Sequence, residues 1–305
     1  MVVRIRLTKK IALGVSLVTT LLVGGLTNPA FAGDPFRKTN PKPIGDKTEA
    51  AFNAIFKDGN YPDAKRLVTE ATEKEPNEPL AHAMRASLAY TDKDWETLKT
   101  YAEKTTAAAR GLQSIDPMRS NLYLAVGSFL EGTYVFQTEG PVSALPRLQQ
   151  VFQYLDNAEK LGATDPELNL LKGYMDLMLA VNLPFASPDQ ARERLEKYAS
   201  PDYLVDRGIA LAYRDEKNYD AALRYIDNAL KATPENPELL YLKGQILRNQ
   251  GNKAKNADSL KQALDYYNRA MKKQDQLPEP VKKQLNREQR KVQEEIKAID
   301  TTANR

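Results

Sequence analysis

The side chains most able to catalyse a reaction are scarce in this sequence. Its 305 residues include one histidine, His82, and no cysteine. A single histidine leaves little room for a Ser-His-Asp triad, and there is no HExxH string, no zinc-type cysteine cluster and no glycine-rich phosphate loop. The string Asp92-Lys93-Asp94 suggests a cation site, but its place between two predicted helices is typical of a turn. We therefore predict a protein that is not an enzyme and that uses no cofactor or metal.

Aromatic side chains are a second group with a possible chemical role, because an exposed aromatic groove can bind peptides or sugars. They are concentrated in two consecutive predicted helices: Tyr123, Phe129, Tyr134, Phe136, Phe152 and Tyr154. Aromatic side chains contribute most to stability when they are buried, so we favour packing between helices over an exposed groove.

The elements that position these residues are predicted to be helices throughout. From Lys47 onward, apolar residues recur with helical spacing, and short breaks built on Asp-Pro, Asn-Pro, Gly-Asn or Ser-Pro separate the segments. No segment shows the alternating polarity of a strand. We predict an all-α chain in which residues 33–46 form a Pro-rich extended linker, residues 47–276 form a helical repeat domain and residues 277–305 form a charged capping helix and tail.

An internal repeat supports this organisation. The string Pro-Glu-Leu-Asn-Leu-Leu-Lys-Gly at 166–173 returns as Pro-Glu-Leu-Leu-Tyr-Leu-Lys-Gly at 237–244, an offset close to twice 34 residues. Residues 203–236 and 45–78 share a pattern of small, aromatic and proline positions. Its members are Ala210, Tyr213, Asn218, Tyr219, Ala222, Ile226, Ala229 and Pro234 in the first stretch, and Gly59, Asn60, Tyr61, Ala64, Val68, Ala71 and Pro76 in the second.

This pattern resembles the tetratricopeptide repeat family. The resemblance implies a right-handed α-solenoid of about six helix pairs, closed by a C-terminal capping helix. It also implies a concave face that binds a partner protein or an extended peptide. The order of an apolar N-terminus, a Gly-Asp-Pro-Phe-Arg segment, an Asn-Pro and a helical array is similar to a group of cyanobacterial exported repeat proteins.

The resemblance also indicates which residues face the concave side. Transferred onto the aligned repeats, these positions are Tyr174, Arg207, Arg214, Tyr241, Gln245, Arg248 and Asn249. The three arginines would form a basic strip suited to carboxylate or phosphate groups of a partner. The alternative is that they are solvated arginines on an exposed helix face. If the strip binds, changing all three to Glu is expected to abolish partner capture and to leave melting intact.

Residues 1–32 are predicted to be an export signal. Four basic residues precede the uncharged run 11–26, and Ala30 and Ala32 supply a small-x-small cleavage pattern before Gly33. An uncleaved membrane anchor is the alternative, although the run is shorter than the roughly 20 residues that a spanning helix needs. Export predicts a periplasmic location, or the thylakoid lumen in a cyanobacterium, and no stable membrane insertion after cleavage.

Cleavage would also change the charge balance. Residues 1–32 carry four of the 44 Lys and Arg residues and none of the 40 Asp and Glu residues, so removing them leaves 40 of each. A formally neutral chain does not favour nucleic acid as a partner. The predicted function is therefore a non-catalytic protein-interaction scaffold, involved in envelope or membrane-complex assembly. A cell-wall or carbohydrate-binding protein is the alternative, and the apolar stripe of the last helix would permit a homodimer.

Overall fold

A computed structural model describes residues 33–182 and 188–303 of the chain. The predicted export signal, residues 1–32, lies outside the described residues. Within those two ranges the chain forms thirteen α-helices and no strand. None of the described helices has the length and apolarity required to cross a bilayer.

The helices follow one another with short connections. They are α1 Asp46–Phe52, which continues as a π-helical turn over Asn53–Lys57, α2 Tyr61–Lys74, α3 Pro79–Asp92, α4 Trp95–Gly111, α5 Pro117–Glu139, α6 Pro141–Gly162, α7 Pro166–Asn182, α8 Pro188–Tyr198, α9 Asp202–Asp215, α10 Tyr219–Ala232, α11 Pro237–Ala254, α12 Ala257–Met271 and α13 Glu279–Ala303. They form six successive pairs, α1–α2 to α11–α12, followed by α13. The chain is therefore an all-α solenoid, as the sequence predicts.

Local sequence chemistry explains where most helices begin. Side-chain oxygens at the helix starts accept hydrogen bonds from backbone N–H groups that would otherwise lack a partner. Residues in this role include Asn60, Asp94, Asp116, Asn218, Asn236 and Asn256. Proline occupies the first helical position of several helices, where it has no N–H to leave unpaired.

Small residues allow the two helices of each pair to approach closely. Ala222 and Ala229 have no exposed surface. A Cβ atom added to Gly244 would lie 2.4 Å from the ring of Tyr267, and one added to Gly173 would lie 2.6 Å from Leu195. Larger side chains at these positions would overpack the contact between paired helices.

The C-terminal helix α13 covers the last pair. Leu285 and Val292 have no exposed surface and pack in the same core cluster as Tyr267 of α12. Val281, Ile296 and Ile299 of the same stripe are partly buried there. The apolar stripe that would have served a coiled-coil dimer is thus used for packing within the chain.

Residues 33–45, which we call the strap, are extended but do not form the free linker that their composition suggests. Phe36 and Ile44 are only 4% and 3% exposed. The ring of Phe36 packs against Phe52 of α1 at 5.1 Å between centroids. The prediction of a Pro-rich linker is corrected in this respect, because apolar side chains fix the strap against the helices.

A buried ionic network holds the strap in place. Arg37 of the strap forms ion pairs with Asp165 at 2.7 Å, with Glu167 at 2.9 Å and with Asp34 at 2.8 Å. Asp34 also accepts hydrogen bonds from the backbone N–H groups of Phe36, Arg37 and Lys42. Arg37 therefore connects the strap to the start of α7, which lies 128 residues further along the chain.

The same network continues into α3 and α5. Arg119 of α5 binds Glu167 at 3.2 Å and Glu78, at the start of α3, at 2.7 Å. Tyr123 donates a hydrogen bond to Glu167 at 2.5 Å. Burial alone would raise the pKa of Glu167, but Arg119 and Arg37 outweigh burial and hold that pKa below its usual value. Glu167 is therefore a buried carboxylate that stays ionised because two arginines face it.

The first helix pair also contacts the sixth. The Asn236 side chain, which caps α11, donates to the backbone carbonyls of Phe56 and Lys57 at 3.4 and 3.1 Å. Tyr61 of α2 donates to Glu238 of α11 at 2.9 Å. These contacts join residues that are 177 to 180 positions apart in sequence, so the solenoid curves until its two ends meet.

We expect Arg37→Ala to destabilise the protein strongly. It leaves Asp165, Glu167 and Asp34 without their shared cation, and an uncompensated buried charge costs about 3–5 kcal/mol. The free energy of unfolding from denaturant titration measures this loss. Lys38→Ala is the matched control, because Lys38 is 83% exposed and its removal should change stability by less than about 0.5 kcal/mol. Equal stability of the two variants would mean that the network does not hold the strap.

Candidate binding groove

The predicted basic strip is an internal polar seam and not a free cationic surface. Arg207 of α9 pairs with Glu238 of α11 at 3.2 Å, and its side chain is 25% exposed. Arg214 contacts Asp215 at 2.8 Å and donates to the Gln245 side chain at 3.1 Å. Each of these arginines therefore already has an acidic partner within the chain.

Arg248 is occupied by the C-terminal helix. It pairs with Glu295 of α13 at 2.5 Å and lies 3.9 Å from Glu288 of the same helix. Gln245 donates to Glu288 at 3.3 Å. Arg248 lowers the pKa of Glu295, although burial of that carboxyl opposes the shift. The capping helix therefore lies against two of the residues that the resemblance assigned to the concave face of the last repeat.

The other predicted site residues are also mostly internal. Tyr174 packs over Gly208 and donates to the backbone carbonyl of Leu204 at 2.6 Å. Tyr241 is 7% exposed and lies against Tyr267. Asn249 is exposed. The structure thus brings most of the predicted residues together, but as contacts between repeats.

His82 and the Asp92-Lys93-Asp94 string have structural roles. His82 is 4% exposed, its Nε2 atom lies 2.8 Å from the Pro76 carbonyl, and burial lowers its pKa. Lys93 takes the left-handed conformation that ends α3, while Asp94 caps α4. Asp92 pairs with Lys65. Across the described ranges, no group of three or more His, Cys, Asp or Glu side chains is arranged to hold a metal ion.

An apolar cavity of about 390 Å³ lies between α3, α5, α6 and α7. Its lining consists of Ser87, Leu122, Ala125, Val126, Phe129, Leu130, Val151, Leu155, Leu171, Tyr174 and Met175. Only Ser87 and Tyr174 of this lining carry a polar side chain, and the Tyr174 hydroxyl is bonded to Leu204. The cavity can therefore accept apolar groups but offers few hydrogen bonds.

Exposed apolar residues continue from this cavity toward the turn between α5 and α6. Helical spacing places Leu145, Leu148, Phe152 and Leu155 along one face of α6, and Phe129 and Phe136 along one face of α5. Exposure increases outward from 4% at Leu155 to 38% at Phe152 and 54% at Leu145. Leu171 of α7, 36% exposed, adjoins the cavity. We call this surface, cavity and α5–α6 faces together, the apolar groove.

The groove has little charge. Between residues 132 and 155, Glu139 and Arg147 are the only charged residues. Arg147 is paired with Glu131 at 3.2 Å. Large exposed apolar patches are a feature that many binding surfaces of folded proteins share.

The structure corrects the interpretation of the aromatic cluster. Tyr123 is 1% exposed, as core packing requires, and Tyr134 and Tyr154 pack partly against the core. Phe129, Phe136 and Phe152 are 42%, 51% and 38% exposed, so core packing is wrong for these three. The long stretch around the α5–α6 turn, in which Glu139 and Arg147 are the only charged residues between 132 and 155, is the sequence signal that could have identified them.

Comparison with known families gives a match on either side, in sequence, of the groove helices α5 and α6 and none within them. A family model described as tetratricopeptide repeat matches residues 50–97 and 207–273. The first match runs from the end of α1 to the start of α4, and the second runs from within α9 to the end of α12, whereas α5, α6, α7 and α8 lie outside both. No curated protein matches the sequence significantly.

We expect Arg248→Glu to lower stability, contrary to the neutral effect that an exposed strip would show. The new carboxylate would face Glu295 and Glu288, and repulsion at this partly exposed site should cost roughly 1–2 kcal/mol. Denaturant unfolding measures the loss, and adding Glu295→Arg should recover part of it. Asn249→Glu, one residue further on the exposed side, is the control. An Arg248→Glu protein as stable as this control would contradict the internal seam.

Proposed function

We propose that this tetratricopeptide-repeat protein is a non-catalytic scaffold outside the cytoplasm, and that it holds an apolar segment of a partner protein in the apolar groove. Tetratricopeptide repeats generally mediate interactions between proteins, which supports the protein-binding part of the proposal. The predicted export signal in residues 1–32 supports the location and is consistent with a role in envelope or membrane-complex assembly.

The observation that carries this proposal is the exposure of large apolar side chains around a cavity. A partner that covered Phe129, Phe136 and Phe152 would remove their apolar surface from water. This burial contributes a favourable free energy of about 25 cal/mol for each Å². The cavity, at about 390 Å³, is at the lower end of the range for ligand pockets. It therefore suits one or two anchoring side chains of a longer segment better than a bulky cofactor.

The chemistry of the lining favours a protein segment over a sugar. Sugar recognition needs several hydrogen-bonding side chains around the ligand, because each buried hydroxyl that lacks a partner is costly. In the cavity, Ser87 is the one polar side chain besides Tyr174, whose hydroxyl is engaged by Leu204. Leucine, methionine or phenylalanine side chains of a partner match such a surface.

Site-specific photocrosslinking tests the proposal. A photoreactive phenylalanine analogue is placed at Phe129 or at Phe152, and the full chain, with its own N-terminal signal, is expressed in its native envelope. The matched control carries the same group at Ile115, which is apolar and 78% exposed but lies between α4 and α5, away from the groove. Mass spectrometry identifies the products.

We expect the same discrete protein adduct from positions 129 and 152 and no such adduct from position 115. The purified partner should then bind the wild-type protein and lose at least about tenfold in affinity for Phe129→Asp, as for an interface anchor. Products common to all three positions, or no protein adduct from the groove, would overturn the proposal. Retention of the protein on cell-wall material without a protein adduct would support the carbohydrate alternative.

A further inference from the structure

The first residue of the strap is bound to a carboxylate. The backbone nitrogen of Gly33 donates a hydrogen bond to Glu49 Oε2 of α1 at 2.5 Å. The contact is close, because a Cβ atom added to Gly33 would lie 2.7 Å from Glu49 Oε1 and the Glu49 side chain would have to shift. Gly33 is also the residue that follows the cleavage pattern predicted from the sequence. Two independent observations, one from sequence and one from structure, thus converge on this nitrogen.

Glu49 has no side-chain cation of its own within the described ranges. The cations of the strap and of α1 pair with other acids. Lys47 pairs with Glu70 of α2, Lys42 pairs with Asp116 of α5, and Arg37 belongs to the network around Glu167. Among the acids of this region, Glu75 of α2 accepts from the backbone N–H groups of Lys47 and Thr48. Glu49 is the acid that the Gly33 nitrogen contacts.

We propose that Glu49 is the binding site for the N-terminal ammonium group of the processed chain, so that cleavage between Ala32 and Gly33 locks the strap onto α1. A cellular endopeptidase would hydrolyse this peptide bond with one water molecule. The hydroxyl of the water goes to the Ala32 carbonyl carbon and a proton goes to the Gly33 nitrogen. At neutral pH the new amine takes a further proton from solvent, and a neutral N–H donor becomes a cation.

The cleavage thereby strengthens a contact that already exists. The existing bond already has an ionised acceptor, and a cationic donor adds the attraction between two opposite charges at short distance. This added attraction stabilises the docked strap, because the buried residues Asp34, Phe36 and Arg37 follow Gly33 closely in the chain. The inference depends on export-linked cleavage but not on the apolar groove, so the two proposals fail in different experiments.

The position of the cut can be measured directly. Protein recovered from the envelope after expression of the full sequence is analysed by intact mass and N-terminal sequencing. We expect a chain that begins at Gly33. A chain that keeps residues 1–32, or one that begins at any other residue, would overturn the proposal.

The second experiment tests the ammonium–carboxylate contact. A chain that begins at Gly33 is compared with one that begins at Phe31, whose ammonium is displaced by about 7 Å of extended chain. Both are made with wild-type Glu49, with Glu49→Gln and with Asp46→Asn, an exposed acid of the same helix that serves as control. At pH 6.5 we expect the Gly33 chain to melt roughly 1–3 °C higher than the Phe31 chain.

The pH dependence gives the sign of the effect. An α-amino group has a pKa of about 8, and a carboxylate neighbour raises it in the folded protein. The added stability is therefore present below pH 8 and is lost as the pH rises through the folded value. The difference in melting temperature between the Gly33 and Phe31 chains should therefore vanish by about pH 10. At pH 6.5 it should be absent in the Glu49→Gln variants and present in the Asp46→Asn variants.

Trypsin provides a readout confined to the strap. Lys38 is 83% exposed, but the neighbouring strap residues must detach before the chain around it can enter a protease site. At pH 7 we expect cleavage after Lys38 to be roughly fivefold slower in the Gly33 chain than in the Phe31 chain, which corresponds to about 1 kcal/mol. Equal rates and equal melting in the two chains, or a difference that survives Glu49→Gln, would overturn the proposal.

Discussion

The arrangement of this molecule depends on one buried cation, the guanidinium of Arg37. It reaches from the strap to Asp165 and Glu167 at the start of α7, and through Glu167 it is linked to Arg119 of α5 and to Glu78 at the start of α3. Buried carboxylates of this kind are tolerated only while a cation compensates them. The network therefore makes the strap a part of the fold, because withdrawing Arg37 would leave Glu167 facing Arg119 alone.

Other polar contacts within the chain act together with this network at the ends of the solenoid. The strap crosses the starts of the first helices of several pairs, Asn236 fastens the first pair to α11, and α13 covers Arg248. At the helix starts that the strap crosses and in the last repeat, these polar side chains therefore already have partners within the chain. The apolar groove remains uncovered between α5, α6 and α7. The apolar groove is therefore the surface to which we assign the proposed partner, whereas the paired charges around it belong to contacts within the chain.

The sequence was sufficient for the features that depend on near neighbours. Helix starts at Asn218 and Asn236, the close packing at Ala222 and the all-α class follow from local spacing and capping chemistry. The partners of Arg37 and Arg248 could not be found in this way, because they lie 128 and 47 residues away. A Pro-rich composition indicates an extended backbone but does not show what the backbone packs against. For the same reason the arginines at concave positions were predicted to be free.

The exposed phenylalanines were missed for a related reason. Burial depends on tertiary packing, and α5 and α6 agree only weakly with the repeat pattern from which burial could be predicted.

The central claim, that the strap is an integral part of the solenoid, is tested most directly by hydrogen–deuterium exchange of the chain that begins at Gly33. The account predicts slow exchange at the amides of Phe36, Arg37 and Lys42, which donate to Asp34, at rates close to those of the core helices. Exchange of these amides at the rate of an unstructured peptide, while the helices remain protected, would contradict it.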